Sequence, residues 1–138
     1  MFDRLRRAIA ALGICSLTAC STDPATVSLT GSWTDDVRSI PGSSFGVALQ
    51  ESGGTVSGQG CYTIEAGRPG RVAVTGTRSG AAATLSVSFT PTGDQNPYRT
   101  ETWNIQLISP DRVTGSAAGS GGPVTIALRR TSTPPSGC

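Results

Sequence analysis

Residues 84–90 have the sequence TLSVSFT, in which apolar and hydroxyl side chains alternate at every position. Successive side chains of an extended strand point to opposite faces, so this alternation predicts a strand with one buried and one exposed face. The same period of two recurs along most of the chain after residue 26. It predicts eight strands, over residues 27–34, 45–50, 55–63, 71–78, 84–90, 102–107, 112–118 and 124–129.

Four of these strands share a second pattern: an aliphatic residue, a hydroxyl residue and then glycine, at residues 29–31, 56–58, 74–76 and 113–115. Glycine within a strand marks a bend or a close backbone approach. Repeated around a sheet, such positions supply the curvature that lets the sheet close. Turn signals between consecutive strands favour sequential hairpins. The predicted fold is therefore all-β, an antiparallel eight-stranded up-and-down barrel over residues 27–131, with a β-sandwich as the alternative.

A different kind of segment precedes the strands. Three arginines lie within residues 4–7, and an apolar stretch of about 12 residues follows, well short of the roughly 20 that a membrane-spanning helix needs. A basic start, a short apolar stretch and small residues at its end predict a secretory signal over residues 1–19.

The sequence LTAC at residues 17–20 is similar to the lipobox of bacterial lipoproteins. In that family the chain is cut before the cysteine, and the cysteine is acylated. The resemblance implies a lipidated Cys20, a tether over residues 20–26 and a place in the cell envelope. In a Gram-negative cell it implies the outer membrane, facing the periplasm or the surface. The alternative is an ordinary signal peptide with a coincidental cysteine.

The charge balance changes once residues 1–19 are set aside. Residues 20–138 carry eight arginines, no lysine and eight carboxylates, so their formal net charge is zero. Nucleic-acid binding depends on a basic surface. The composition therefore predicts no nucleic-acid partner.

Two cysteines, Cys61 and Cys138, remain when Cys15 is assigned to the signal and Cys20 to the lipid. The cell envelope permits disulfides, so a Cys61–Cys138 bond is predicted. On the chain-entropy model it would stabilise the fold by about 4.5 kcal/mol, and it would pin the Pro-rich tail at residues 132–138. The alternative is a pair of free thiols with a metal or redox role, which no CxxC spacing and no histidine supports.

Catalytic patterns are weak throughout the sequence. The chain has no histidine, the commonest general base and metal ligand. Asp35 and Asp36 are adjacent in a predicted strand region, so their side chains would point to opposite faces rather than share a proton. The sequence predicts no enzyme, no metal and no cofactor.

The large aromatic residues of the predicted inward face allow two interpretations. Trp33 and Trp103 either fill the core or, together with Tyr62, line a pocket for a hydrophobic ligand at one barrel mouth. Space for such a pocket is expected at the inward glycines Gly31, Gly58, Gly76 and Gly115.

Residues 29–39, LTGSWTDDVRS, resemble the opening strand of the avidin family, and residues 125–130, TIALRR, are similar to a later strand of that barrel. Glycine and tryptophan at positions 31 and 33 also resemble the start of lipocalins. These resemblances imply a calycin-like barrel. They place Asp35 and Ser39 where avidins have a biotin-contacting asparagine and serine. Gly60 and Ala127 replace a pocket tyrosine and tryptophan, so the fold is expected and the biotin site is not.

Two classes of function follow from these expectations. The first is a lipid-anchored envelope barrel that acts as a structural or protein-interaction module. In architecture it resembles the small barrel lipoproteins that inhibit lysozymes, although their sequence motifs are missing. The alternative is a lipocalin- or avidin-like binder of a small hydrophobic ligand. The predicted partners are the membrane, through the N-terminal lipid, and either an envelope protein or a small apolar molecule.

Overall fold

The computed structural model describes residues 22–36, 44–64, 68–92, 99–118, 122–136 and 138. The predicted signal at residues 1–19, Cys20 and Ser39 lie outside these ranges. The described residues form eight strands and no helix. The strands are β1 (Gly31–Asp35), β2 (Ser44–Ser52), β3 (Thr55–Ile64), β4 (Arg68–Ser79), β5 (Ala82–Pro91), β6 (Arg99–Ser109), β7 (Arg112–Ala118) and β8 (Val124–Thr131).

The eight strands form a closed antiparallel barrel, which confirms the predicted fold class. Each strand pairs with the next, and β8 pairs with β1. The register of the strands gives the shear of the barrel. A path that moves from each residue to its paired neighbour, once around the barrel, starts at Pro91 on β5 and returns to Ala81, so the shear is ten residues. In an eight-stranded barrel such a stagger tilts the strands by about 40° from the barrel axis. The architecture is compatible with a calycin-like fold.

The first strand differs from its prediction, because it begins at Gly31 and not at residue 27. Gly31 has a φ of 138°, which interrupts the extended backbone. The preceding residues bind side chains instead of a neighbouring strand. The Leu29 N–H donates a hydrogen bond to the Glu51 carboxylate, and the Thr30 carbonyl accepts one from Arg130.

The barrel interior is apolar. Nineteen hydrophobic residues of the described ranges are buried, and no polar or charged residue of these ranges is buried as a whole. Burial alternates along the strands as predicted, most regularly on β5 and β6. Alternation therefore identified which side of each strand packs into the core.

The two ends of the barrel are built differently. At one end, two-residue turns at 53–54, 80–81 and 110–111 join the strands. Residues 22–30, which we call the strap, lie across this end and are held by Arg78 and Arg130. We call it the strapped end. Gly53 and Gly54 have φ values of 56° and 80°, as a type I′ hairpin turn requires. At the other end, the loop end, longer connections span residues 36–43, 65–67, 92–98 and 119–123.

Candidate functional site

A charged cluster on the inward face ties residues 22–30 to the strapped end. Nη1 of Arg78 lies 2.7 Å from Oε2 of Glu51, and the Arg78 side chain is only 4% exposed. The same Glu51 oxygen accepts a hydrogen bond of 2.7 Å from the Leu29 N–H. Nη2 of Arg78 donates to the Pro24 carbonyl at 2.9 Å. One ion pair thus links the N-terminal segment to both β2 and β4.

A second arginine completes the same end. The Arg130 guanidinium lies 4.4 Å from the centre of the Trp33 ring and donates to the carbonyls of Thr30 and Ser28 at 2.6 and 2.7 Å. Nε1 of Trp33 donates to the Leu29 carbonyl at 2.8 Å. Because Trp33 and Leu29 are both fully buried, they plug the barrel beneath Arg130.

The electrostatics of the cluster keep Glu51 charged. Burial raises the pKa of the Glu51 carboxyl, but the hydrogen bond from Leu29 and the ion pair with Arg78 outweigh burial. The pKa therefore lies below its ordinary value. Glu51 is ionised at neutral pH, which is the state that the ion pair needs.

Four aromatic side chains pack together towards the loop end, and we call them the aromatic cluster: Phe45, Tyr62, Phe89 and Trp103. The ring centres of Phe45 and Trp103 are 5.3 Å apart, and those of Tyr62 and Phe89 are also 5.3 Å apart. Phe89 lies 6.4 Å from Trp103 and joins the two pairs. Phe45 is only partly buried, whereas the other three are buried.

The polar group of Trp103 is already bound within the protein. Its Nε1 donates to the Glu101 carboxylate at 2.9 Å. The same carboxylate lies 3.1 Å from Nε of Arg99, whose guanidinium is 4.5 Å from the centre of the Phe89 ring. Trp103 therefore has no free donor with which to orient a ligand.

The three residues predicted to line a ligand pocket fall into two places. Tyr62 and Trp103 both contact Phe89 in the aromatic cluster. Trp33 lies at the strapped end, under Arg130. The structure therefore brings two of the three together and places the third in a different part of the core.

The space predicted at the inward glycines is already filled, which corrects that expectation. A Cβ atom on Gly58 would lie 2.7 Å from Cδ2 of Leu49, its partner on the neighbouring strand. One on Gly115 would lie 2.7 Å from Cα of Ile105. Gly76 meets Leu85 in the same way, and a Cβ on Gly31 would lie 2.5 Å from Arg130. Each of these glycines lets a neighbouring strand or side chain approach closely, so it leaves no room for a ligand.

The C-terminal tail lies on the outer wall. Pro135 covers Gly46 on β2, where a Cβ atom would lie 3.1 Å from Cβ of Pro135. The Cα atoms of Cys61 and Cys138 are 5.4 Å apart. The two cysteines thus lie at disulfide distance, and the tail passes from the end of β8 across the wall to β3.

A shallow concavity of about 620 Å³ lies on the outer wall between β1 and β4. Its outward side chains are small or polar and uncharged, including Ser32, Gln50, Gln59 and Thr75. All the aromatic side chains of the described residues belong to strand positions that face inward. The concavity therefore has no aromatic side chain in its lining, although such side chains are common in small-molecule sites.

Sequence reasoning missed the charged cluster, although a signal was present. Glu51 continues the inward positions of Val47 and Leu49 on β2, and Arg130 continues those of Ile126 and Leu128 on β8. A charged residue at the end of a strand, two positions after an inward-facing apolar residue, indicates a polar layer that closes the barrel end. The alternation was identified, but its charged terminal members were not assigned to the interior.

The comparisons with known proteins give no relative. The chain matches no protein-family model, no curated protein and no solved structure. Within the ranges that the structure describes, no group of three or more histidine, cysteine, aspartate or glutamate side chains could hold a metal ion. No helix of that part of the chain is long and apolar enough to cross a membrane.

Proposed function

We propose that this protein is a lipid-anchored barrel of the cell envelope that acts, without catalysis, as a structural or protein-interaction module. The observation that carries the proposal is the close packing at the inward glycines. Leu49, Leu85 and Ile105 each lean against a glycine of the adjacent strand, so large and small residues interlock around the barrel. Such packing favours a rigid scaffold over a container.

The anchor rests on the sequence LTAC at residues 17–20 and on the basic, apolar segment before it. Cys20 precedes the first described residue, Thr22, by two positions. The proposed location is the outer membrane in a Gram-negative cell. A Cys61–Cys138 disulfide belongs to the same proposal, because it suits an oxidising compartment and the two sulfur atoms lie at bonding distance.

The loop end is the surface that we assign to a protein partner. All four longer connections lie there, and binding residues are found disproportionately on loops held by a rigid scaffold. The partner chemistry that fits best is an envelope protein, as for an inhibitor-like module. The two-residue turns of the strapped end are shorter and offer less surface for contact.

Mass measurement tests the anchor and the disulfide together. Protein extracted in detergent from envelope membranes should begin at an acylated Cys20, and thiol alkylation without reductant should add no mass. In Cys20→Ser the acyl mass should disappear and the precursor should stay uncleaved or become soluble. Wild-type protein recovered wholly without detergent, or a protein alkylated at both Cys61 and Cys138, would contradict these parts of the proposal.

The second candidate, a binder of a small hydrophobic ligand, is favoured by one observation. Phe45 is partly exposed and packs against Trp103 with its ring tilted, so an apolar surface continues from the core to the loop end. Titration of the purified protein with hydrophobic fluorophores and with biotin distinguishes the candidates. The close packing at the inward glycines predicts no saturable change in tryptophan emission. A saturable response that Phe45→Ala abolishes in a folded protein would establish the second candidate.

A further inference from the structure

The free part of the N-terminal tether is shorter than the predicted tether over residues 20–26, because its later residues are bound to the barrel. Arg78 binds the carbonyls of Pro24 and Ala25 at 2.9 and 3.4 Å, and its side chain is only 4% exposed. Asp23 closes a turn over the same residues by accepting from the N–H of Thr26. Pro24, which is fixed to β4, is therefore only four positions after Cys20, and this limits the distance between the two residues to about 14 Å.

The surface around that fixed point consists mostly of short turns with small side chains. Gly53, Gly54, Gly80 and Ala81 form two of the turns, and no side chain longer than a methyl group projects from them. Because these side chains are short, the backbone of the turns can come close to a membrane surface.

One large apolar side chain is exposed at the same end. Ile108, beside the turn at 110–111, is 53% exposed, and Leu107 next to it is buried. Val124, which is 51% exposed, is the other large apolar residue of the described chain with comparable exposure. It begins β8 at the loop end. The barrel therefore carries one such residue at each end, and they form a matched pair.

We infer that the barrel stands on the membrane on its strapped end, with Ile108 in the lipid headgroup region and the loop end facing away. This inference rests on the lipid anchor of the proposed function and adds an orientation to it. Asp23 and Asp111 are exposed at this end, and the exposed Arg112 is paired with Asp36, so this surface carries no excess of positive charge to attract anionic lipid. The contact is therefore held by the short tether and the apolar side chain, not by charge.

Fluorescence quenching tests the orientation in the full-length, acylated protein. Ile108→Cys and Val124→Cys are each labelled with an environment-sensitive fluorophore without reductant, and wild-type protein gives the background from Cys61 and Cys138. The proteins are reconstituted into vesicles of phosphatidylethanolamine and phosphatidylglycerol that contain a headgroup-bound quencher. The ten-residue strands separate the two ends by about 25 Å, so the quencher distinguishes them.

The orientation predicts a loss of fluorescence and a blue shift for the label at 108, and neither for the label at 124. The same result is expected in vesicles of neutral phosphatidylcholine, because charge has no part in the contact. Equal quenching at both positions, or quenching at 124 alone, would overturn the orientation while the anchor stands. Failure of both proteins to float with the vesicles would overturn the anchor and the inference with it.

A second pair of positions guards against a local disturbance at residue 108. Ala25 is exposed on the strap, and Pro123 is exposed at the loop end. Labels at Ala25→Cys and Pro123→Cys should give the same contrast between the two ends. A contrast that reverses in this pair would also overturn the orientation.

Discussion

The strapped end of the barrel is closed by charged and hydrogen-bonded side chains, whereas the core beneath the loop end is closed by aromatic side chains. At the strapped end, Glu51, Arg78 and Arg130 replace strand hydrogen bonds with side-chain hydrogen bonds to residues 22–30. At the loop end, the aromatic cluster closes the core with apolar contacts, and Phe45 stays partly exposed. A chain with few charged residues can therefore use several of them for a single structural role. Here that role is fixing the N-terminal segment.

The two ends should contribute differently to the stability of the barrel. Trp33 and Leu29 are buried at the strapped end and are hydrogen-bonded to each other. Loss of these contacts should therefore lower the free energy of unfolding of the whole barrel. The partly exposed aromatic edge at the other end should contribute less, because it is already partly hydrated. Substitutions at the two ends should therefore differ in their cost.

Trp33→Ala should have the largest effect, a loss of about 3–5 kcal/mol in the free energy of unfolding. The substitution leaves a cavity under Arg130 and removes the donor that binds the Leu29 carbonyl. Denaturant unfolding followed by circular dichroism measures the change. Phe45→Ala is the matched change at the loop end and should cost clearly less. Equal costs at the two positions would refute the asymmetry between the ends.

The wall between the two ends can be tested at one glycine. Gly115→Ala should cost about 1–3 kcal/mol, because the added methyl group would overlap the backbone of β6 at Asn104 and Ile105. Ser116→Ala, on the same strand but facing outward, is the control and should change stability by less than about 0.5 kcal/mol. The measurement is again the free energy of unfolding. A Gly115→Ala protein as stable as the control would mean that the interior has room after all.

The sequence predicted the barrel well because its information is local. Alternation within each strand fixes which side chains face inward, and the turn signals fix the order of the hairpins, so the closed eight-stranded fold followed. The first strand was predicted four residues too long, because alternation continues through Leu29 while the backbone there turns at Gly31.

The candidate site was less predictable because it depends on distances between strands. The inward glycines were recognised, but only the register shows that Leu49 and Ile105 lie against them. Trp33 and Trp103 share an inward phase, yet the tilt of the strands and the position of each residue along them place them at different levels. The contact between Arg78 and Pro24 joins residues 54 positions apart, and no local sequence pattern predicts it.

The smallest expected effect concerns the pH dependence of the strap. The pKa of Glu51 is lowered in the folded protein, so its contribution to stability is fully present above the ordinary value of 4.5. It is lost as the pH falls through the lowered value. Because the side chain is 17% exposed, the contribution should be on the order of 1 kcal/mol or less.

Glu51→Gln isolates this contribution, because the amide still accepts from the Leu29 N–H but cannot form the ion pair with Arg78. Unfolding measured from neutral pH to about pH 3 should show a steeper loss of stability in the wild-type protein than in the variant. Trp33 lies beside the strap, so its emission in a Trp103→Phe background should report the acid-induced change. Parallel pH profiles for the two proteins would show that Glu51 does not hold the strap electrostatically. The asymmetry between the ends would then rest on Trp33 and its apolar packing alone.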